Sequence, residues 1–132
     1  MRAKFLFLLT TASLFFSASV LALDCVSPQT QTDMNICAGK DLDRETKKIN
    51  QTYNTVRSKL DAKHQQDLKQ VQLAWIAFKD LDCKFQASGV EGGSIYSLIL
   101  SGCLQEKTVQ RNKELDSLLH CKEGDMSCPV PQ

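Results

Sequence analysis

Six cysteines in a chain of 132 residues constrain this sequence more than any other feature. They are Cys25, Cys37, Cys83, Cys103, Cys121 and Cys128. An even number of cysteines in a small exported chain is typical of a disulfide framework. No two of them show the C-x-x-C spacing of a thiol oxidoreductase, and none shows the C-x-x-C-H pattern that attaches haem. The sequence therefore predicts a fold held together by disulfides.

We expect these cysteines to pair with near neighbours along the chain. The expected bonds are Cys25–Cys37, Cys83–Cys103 and Cys121–Cys128. Six cysteines allow many pairings, and a bond between Cys37 and Cys83 across the first two helices is the main rival. Paired thiols and only two histidines leave few ligands for zinc. We therefore expect neither a metal site nor a cofactor.

The first 22 residues have the character of a secretory signal. Arg2 and Lys4 give a positive start, an apolar run follows, and residues 20–22 suit a signal peptidase. The apolar run is too short for a comfortable membrane span. Asp24, directly before Cys25, argues against a lipoprotein acylation site. We therefore expect a signal peptide over 1–22, a single domain over 23–132, and a periplasmic or secreted location.

Charge excludes some classes of partner. The leader holds two of the 16 basic residues and none of the 15 acidic ones, so the mature chain carries a net charge of about −1. Nucleic acids and anionic membranes both select basic surfaces. We therefore expect no nucleic-acid partner, and no membrane span once the leader is removed.

Apolar residues recur at spacings of three and four through three segments of the chain. This spacing predicts helices near 31–61, 64–87 and 94–120. Thr30 and Asp33 form a capping box at the start of the first helix, and Ser94 is expected to cap the third. No run alternates with period two. The predicted fold class is all-α, a small disulfide-stapled three-helix bundle with an up-down-up order.

The second helix carries an apolar stripe that is expected to face the core. Its members are Leu68, Val71, Trp75, Phe78, Leu81 and Phe85. Trp75, the only tryptophan, is interpreted as a core residue. Arg111 interrupts the stripe of the third helix. We expect it to pair with an acidic residue of a neighbouring helix, or to lie over Trp75.

We do not expect an enzyme. Asp80 and Asp82 stand two residues apart on a helix, so they point to different faces and do not converge as an acid and a base. Two separated histidines and paired thiols do not supply a nucleophile with its base. The Gly-Gly-Ser at 92–94 lacks the strand and the glycine spacing of a phosphate-binding loop.

Short motifs occur along the chain in a particular order. They are Cys25, TQTDMNICA (30–38), INQTY (49–53), VQLAWIAFKDLDC (71–83), GGS (92–94), Cys103 and Thr108-x-x-Arg111-x-x-x-Leu115. In order and spacing they resemble the bacterial lysozyme inhibitor LprI family over nearly the whole mature chain. The resemblance implies a small helical envelope protein that binds and inhibits a lysozyme. Cys121 and Cys128 look like an addition to four shared cysteines.

Two loops are candidates for contact with a lysozyme. The residues expected to bind the partner are Lys84, Glu91 and Ser94 in the first loop and Lys122, Asp125 and Ser127 in the second. Lysozyme cuts with two carboxyl groups, which Lys122 could approach while Ser127 donates a hydrogen bond. Closure by a disulfide lowers the entropy lost on binding. The structural alternative is a staple that prevents the third helix from fraying.

The sequence is also compatible with a second class of function. An envelope stress or chaperone-like binding protein would use apolar surface and would not inhibit lysozyme. A lysozyme assay with the mature protein distinguishes these two functions.

Overall fold

The structure, a computed structural model, describes residues 23–131. Its helices are α1 (Gln31–Ser58), α2 (Ala62–Ala87) and α3 (Tyr96–Ser117), with 3-10 turns at Ser88–Val90 and Leu118–His120. No strand occurs between residues 23 and 131. The predicted all-α fold is confirmed. The predicted signal segment, 1–22, lies outside the described residues and remains a prediction.

Side-chain caps begin the first two helices. Thr30 Oγ1 accepts a hydrogen bond of 3.0 Å from the Asp33 amide, as predicted. Asp61 Oδ1 accepts one of 2.9 Å from the His64 amide at the start of α2. This bond stabilises the carboxylate and holds the pKa of Asp61 below its ordinary value. Both caps satisfy amides that have no partner within the helix.

The third helix begins without the predicted cap. Ile95 occupies the N-cap position of α3 and makes no side-chain cap bond, so the assignment of Ser94 as the cap is wrong. The chain enters α3 through a turn in which the Tyr96 amide donates to the Gly93 carbonyl at 3.1 Å. Because Ile95 already has helical backbone angles, the helix follows on from this turn and has no extended capping residue.

The core lies between α1 and α3 and is closed by the C-terminal tail. Ile49, Val56, Leu115 and Val130 form its buried cluster. The Asn35 side chain donates 2.8 Å to the Ser94 carbonyl, which ties the start of α1 to the start of α3. These two helices therefore run in the same direction, with α2 antiparallel and packed more on α3 than on α1.

All three predicted disulfides are present. The bonds are Cys25–Cys37, Cys83–Cys103 and Cys121–Cys128, with Cα–Cα distances of 5.5, 5.6 and 6.2 Å. The first ties the N-terminal segment to α1, the second ties the end of α2 to α3, and the third closes the tail. The rival bond between Cys37 and Cys83 does not form.

The apolar stripe of α2 is mostly exposed, contrary to the prediction. Leu68 and Trp75 pack against the core, whereas Val71, Phe78, Leu81 and Phe85 are 53%, 59%, 69% and 77% exposed. The buried face of α2 is the one that carries Gln72, Cys83 and Ala87. At 100° per residue, Cys83 lies about 140–160° around the helix from the two phenylalanines and Leu81. The bond to Cys103 therefore fixes a rotation of α2 that turns most of the stripe outward.

Arg111 has a structural setting, but its partners differ from those predicted. Its Nε donates to Gln72 Oε1 on α2 at 3.3 Å. Its Nη1 pairs at 2.8 Å with Glu114, which is on its own helix. The cation near Trp75 is Lys79, whose Nζ lies 5.6 Å from the ring centroid. Arg111 thus links α2 to α3 through a neutral amide.

Replacement of Asn112 by leucine should stabilise the protein. Asn112 is 6% exposed, and its Oδ1 finds no hydrogen-bond partner among the described residues. An unsatisfied buried polar atom costs about 1–3 kcal/mol, and leucine has the same number and branching of side-chain heavy atoms as asparagine. We expect Asn112→Leu to raise the free energy of unfolding by about 1 kcal/mol, measured by urea denaturation. Asn112→Ala, which leaves a cavity, is the control, and a destabilised leucine variant would contradict the prediction.

Candidate functional site

The six residues predicted to bind a partner lie at opposite ends of the bundle. Lys84, Glu91 and Ser94 belong to the segment 84–94, here called the hinge, which comprises the last turn of α2 and most of the connection to α3. Lys122, Asp125 and Ser127 belong to the segment 121–128 after α3, here called the terminal loop. All six are exposed. Because the 22 residues of α3 that lie between the two segments span about 33 Å, the structure forms two separate candidate surfaces.

Consecutive turns give the hinge a defined shape. The Glu91 amide donates to the Ser88 carbonyl at 3.2 Å, and the Gly93 amide donates to the Val90 carbonyl at 3.0 Å. Between them Gly92 has φ 77°, a conformation that glycine adopts without steric cost. The hinge thus presents Glu91 at the tip of a hydrogen-bonded turn.

The hinge is also anchored to the helices beneath it. The Cys83–Cys103 disulfide joins the two helices just below it. The Asn35 side chain holds the Ser94 carbonyl from α1. A loop held at both ends loses little conformational entropy when it binds. The hinge therefore has the preorganisation that a binding surface needs.

Acidic residues near the hinge are paired with lysines. Asp82 Oδ2 lies 2.7 Å from Lys107 Nζ on α3. This hydrogen bond holds the pKa of Asp82 below its ordinary value. Asp80 Oδ1 lies 2.6 Å from Lys79 Nζ. The two aspartates thus have different cationic partners, and the structure does not bring them together as an acid–base pair.

Asp125 shapes the terminal loop from within. Its Oδ1 accepts hydrogen bonds from the Ser127 hydroxyl at 2.6 Å and from the Ser127 amide at 2.9 Å. These bonds, the hydroxyl one first, hold the pKa of Asp125 below its ordinary value. The Asp125 amide donates to the Lys122 carbonyl, and the Cys128 amide donates to the Asp125 carbonyl. The Ser127 hydroxyl is therefore used inside the loop.

The tip of the terminal loop is a methionine that the sequence interpretation missed. Met126 is 100% exposed and stands between Asp125 and Ser127, which bond to each other. Beneath the loop Val130 is 1% exposed and packs into the core. The Asp-x-Ser spacing, which favours a side-chain-to-backbone turn, is the sequence signal that could have identified Met126 as the projecting residue.

Acid should loosen the terminal loop. Because the fold lowers the pKa of Asp125 from about 3.8, the ionised carboxylate orders the loop at higher pH. That contribution is lost as the pH falls through the folded-state pKa. We expect the Ser127 amide NMR signal to be constant between about pH 7 and pH 5 and to move below about pH 4. Asp125→Asn should abolish this transition, and an unchanged transition in that variant would assign it to another group.

Residues 23–131 form neither a metal-ion site nor a membrane-spanning helix. No group of three His, Cys, Asp or Glu side chains among residues 23–131 is placed to hold a metal ion. Across the same range, no helix has the length and apolar character needed to cross a membrane.

Comparison with known proteins matches the helical part of the chain. The family model described as "Lysozyme inhibitor LprI" matches residues 24–115. An uncharacterized protein of Rhizobium meliloti (strain 1021) is 32% identical over 114 residues, which covers 76% of this chain and 82% of that protein. No solved structure matches. The range 24–115 contains the hinge and ends before the terminal loop.

Proposed function

Because this chain belongs to the LprI family of lysozyme inhibitors, we propose that it is an exported protein that binds a lysozyme and blocks it through loops at the ends of the helical bundle. The hinge is the main contact surface. It lies within the matched range 24–115, whereas the terminal loop lies outside it. The observation that carries this assignment is that the hinge is exposed yet held by its turns, a disulfide and the Asn35 bond.

The chemistry of the hinge suits an enzyme cleft. Lysozyme acts with two carboxyl groups, and a cation near either one would compete with substrate. Lys84 is exposed at the start of the hinge and supplies that cation. Glu91 at the tip offers a carboxylate to basic groups at the rim of a cleft. Charge pairs of this kind favour the correct partner and raise the association rate.

The terminal loop adds a second contact of a different kind. Lys122 and Met126 are exposed on a ring closed by a disulfide. A flexible thioether fits irregular apolar surfaces, so Met126 serves as an apolar anchor. Because about 33 Å of α3 separates the two loops, the terminal loop contributes outside the cleft that the hinge occupies.

The covalent framework supports a place of action outside the cytoplasm. Three disulfides form and persist in oxidising compartments. A signal peptide over 1–22 would deliver the domain 23–132 to the periplasm or the medium, where it would meet lysozyme. In this function the protein is a binding partner and carries out no catalysis of its own.

A clearing assay on a cell-wall suspension tests the proposal. Residues 23–132 should slow clearing by lysozyme, and the variant Lys84→Ala, Glu91→Ala, Ser94→Ala should raise the inhibition constant about tenfold or more. The variant Asp43→Ala, Lys47→Ala changes two exposed charges on α1 and is the matched control.

The terminal loop is tested by substitution, because truncation would alter the fold. Cutting the chain after residue 120 would remove Val130 from the core. The variant Lys122→Ala, Met126→Ala keeps the tail and should weaken inhibition less than the hinge variant does. Full inhibition by the hinge variant would refute the hinge assignment. A parent protein that inhibits no type of lysozyme would refute the proposed function.

A further inference from the structure

Helix α2 exposes a continuous apolar face, here called the outer stripe. It consists of Val71, Ala74, Phe78, Leu81 and Phe85, all of them exposed. Their spacings are three, four, three and four residues, which is the a/d pattern of a helix that packs against another helix. Within this chain the opposite face of α2, which carries Cys83, meets the bundle. The outer stripe therefore has the pattern of a packing face but remains largely exposed. At its edge, Lys107 Nζ of α3 lies 5.1 Å from the centroid of the Phe78 ring, and Phe78 is still 59% exposed.

The composition of the outer stripe is that of an interface core. Aromatic side chains are enriched and charged side chains are depleted at the centre of protein interfaces. Two of the five residues are phenylalanines, and neither charge nor hydrogen-bonding side chain interrupts them. Of the flanking charges, Asp82 is already bonded to Lys107 at 2.7 Å. Four of its members are 53–77% exposed. The stripe therefore leaves roughly 450 Å² of apolar surface accessible to solvent in each chain, which is the size of a functional patch.

We propose that the outer stripe binds the same stripe of a second copy of this chain, with the two α2 helices antiparallel. A heptad stripe fits another helix, and its convex face does not fit a cleft. Two outer stripes, together with the residues that flank them, would bury about 1,000 Å² of accessible surface in total. This area is the lower limit for a specific interface. A second copy supplies this matching helix without any further protein.

Side-chain size favours the antiparallel orientation. It places Phe85 of one copy over Ala74 of the other and Phe78 over Leu81, so that each phenylalanine meets a smaller residue. A parallel pair would place each phenylalanine on its equivalent and Ala74 on Ala74. That layer of alanines would leave a gap between the helices, which close packing disfavours.

The antiparallel pair has a consequence that rests on the proposed function. In one chain the hinge and the terminal loop lie at opposite ends of α2. In the pair, the hinge of each copy lies at the end of the assembly where the terminal loop of the other copy lies. Each end of the dimer would thus bring a hinge and a terminal loop to the same side of one lysozyme, whereas in a single chain the two loops lie at opposite ends.

Sedimentation and light scattering of residues 23–132 test the dimer without lysozyme. We expect twice the chain mass at micromolar concentration. Leu81→Asp places two carboxylates in the apolar seam and should raise the dissociation constant about a hundredfold or more. Leu73→Asp is the matched control, since Leu73 is on the same helix, is 56% exposed against 69% for Leu81, and lies off the stripe. It should remain dimeric.

Cysteine cross-linking tests the orientation. A mixture of Ala74→Cys and Phe85→Cys chains should form a mixed disulfide dimer under mild oxidation. Ala74→Cys alone should cross-link poorly. Efficient cross-linking of Ala74→Cys to itself would overturn the antiparallel arrangement.

Two further results would overturn the proposal. One is a parent protein that stays monomeric up to about 100 µM. The other is a monomeric parent in which Leu81→Asp, but not Leu73→Asp, abolishes lysozyme inhibition, which would make the enzyme the occupant of the stripe. A dimer with the expected response to Leu81→Asp but without lysozyme inhibition would support this inference and refute the proposed function.

Discussion

Leu115→Ala is expected to lower the free energy of unfolding by about 3–5 kcal/mol. Leu115 is 0% exposed and packs in the cluster with Ile49, Val56 and Val130. Its truncation leaves a cavity where two helices and the tail meet, and none of the three can move in without breaking other contacts. In a domain of this size the thermal midpoint should fall by roughly 15 °C or more. Thermal melting followed by circular dichroism measures the change.

The matched control for this prediction is Leu73→Ala. Leu73 is 56% exposed on α2, so the same chemical change should alter the free energy of unfolding by no more than about 0.5 kcal/mol. Equal melting of the two variants would mean that Leu115 does not lie in the core. The comparison isolates burial, because residue type and helical setting are shared.

The positions of the helices could be predicted because their signals are local. Apolar spacing, the cap at Thr30 and the glycines near the hinge act within a few residues of chain. All three helices were therefore expected within a few residues of where they lie. Ser94 was assigned wrongly because a serine before a helix is only a cap when its backbone is extended, and the turn from Gly93 to Tyr96 leaves it no such conformation.

The rotation of α2 could not be predicted from its own sequence. Two faces compete for the core, one with Phe78, Leu81 and Phe85 and one with Cys83. Hydrophobicity favours the first, whereas the disulfide to Cys103 requires the second. In the structure the second face is the buried one. The spacing of apolar residues within α2 does not indicate which cysteine Cys83 will bond to.

The sequence could place the candidate loops at helix ends, but it could not predict their conformation, because that conformation depends on tertiary contacts. The tail sequence PVPQ indicates only that no helix continues. That Val130 enters the core between α1 and α3 depends on where those helices end in space. This contact fixes the base of the terminal loop. The hydrogen bonds from Ser127 to Asp125 engage both of those residues, so Met126 between them is the residue that projects.

Loss of the Cys83–Cys103 bond should have the second large effect. The variant Cys83→Ala, Cys103→Ala should lose about 3–5 kcal/mol of unfolding free energy in urea denaturation. The bond closes a sequence separation of 20 residues, and Cys83 is 0% exposed, so the variant loses both chain restriction and buried contacts. Because the bond lies beneath the hinge, amides 88–94 should also exchange with deuterium faster.

The variant Cys121→Ala, Cys128→Ala is the control at the other end of the bundle. Its bond closes a separation of only 7 residues, so the chain-entropy account predicts a loss that is smaller by about 1 kcal/mol. Hinge amides should keep their exchange rates in this variant. If both double variants loosen the hinge equally, the hinge is ordered by the whole bundle. If neither does, its turns and the Asn35 bond are sufficient, and the disulfide acts on stability and on the rotation of α2 alone.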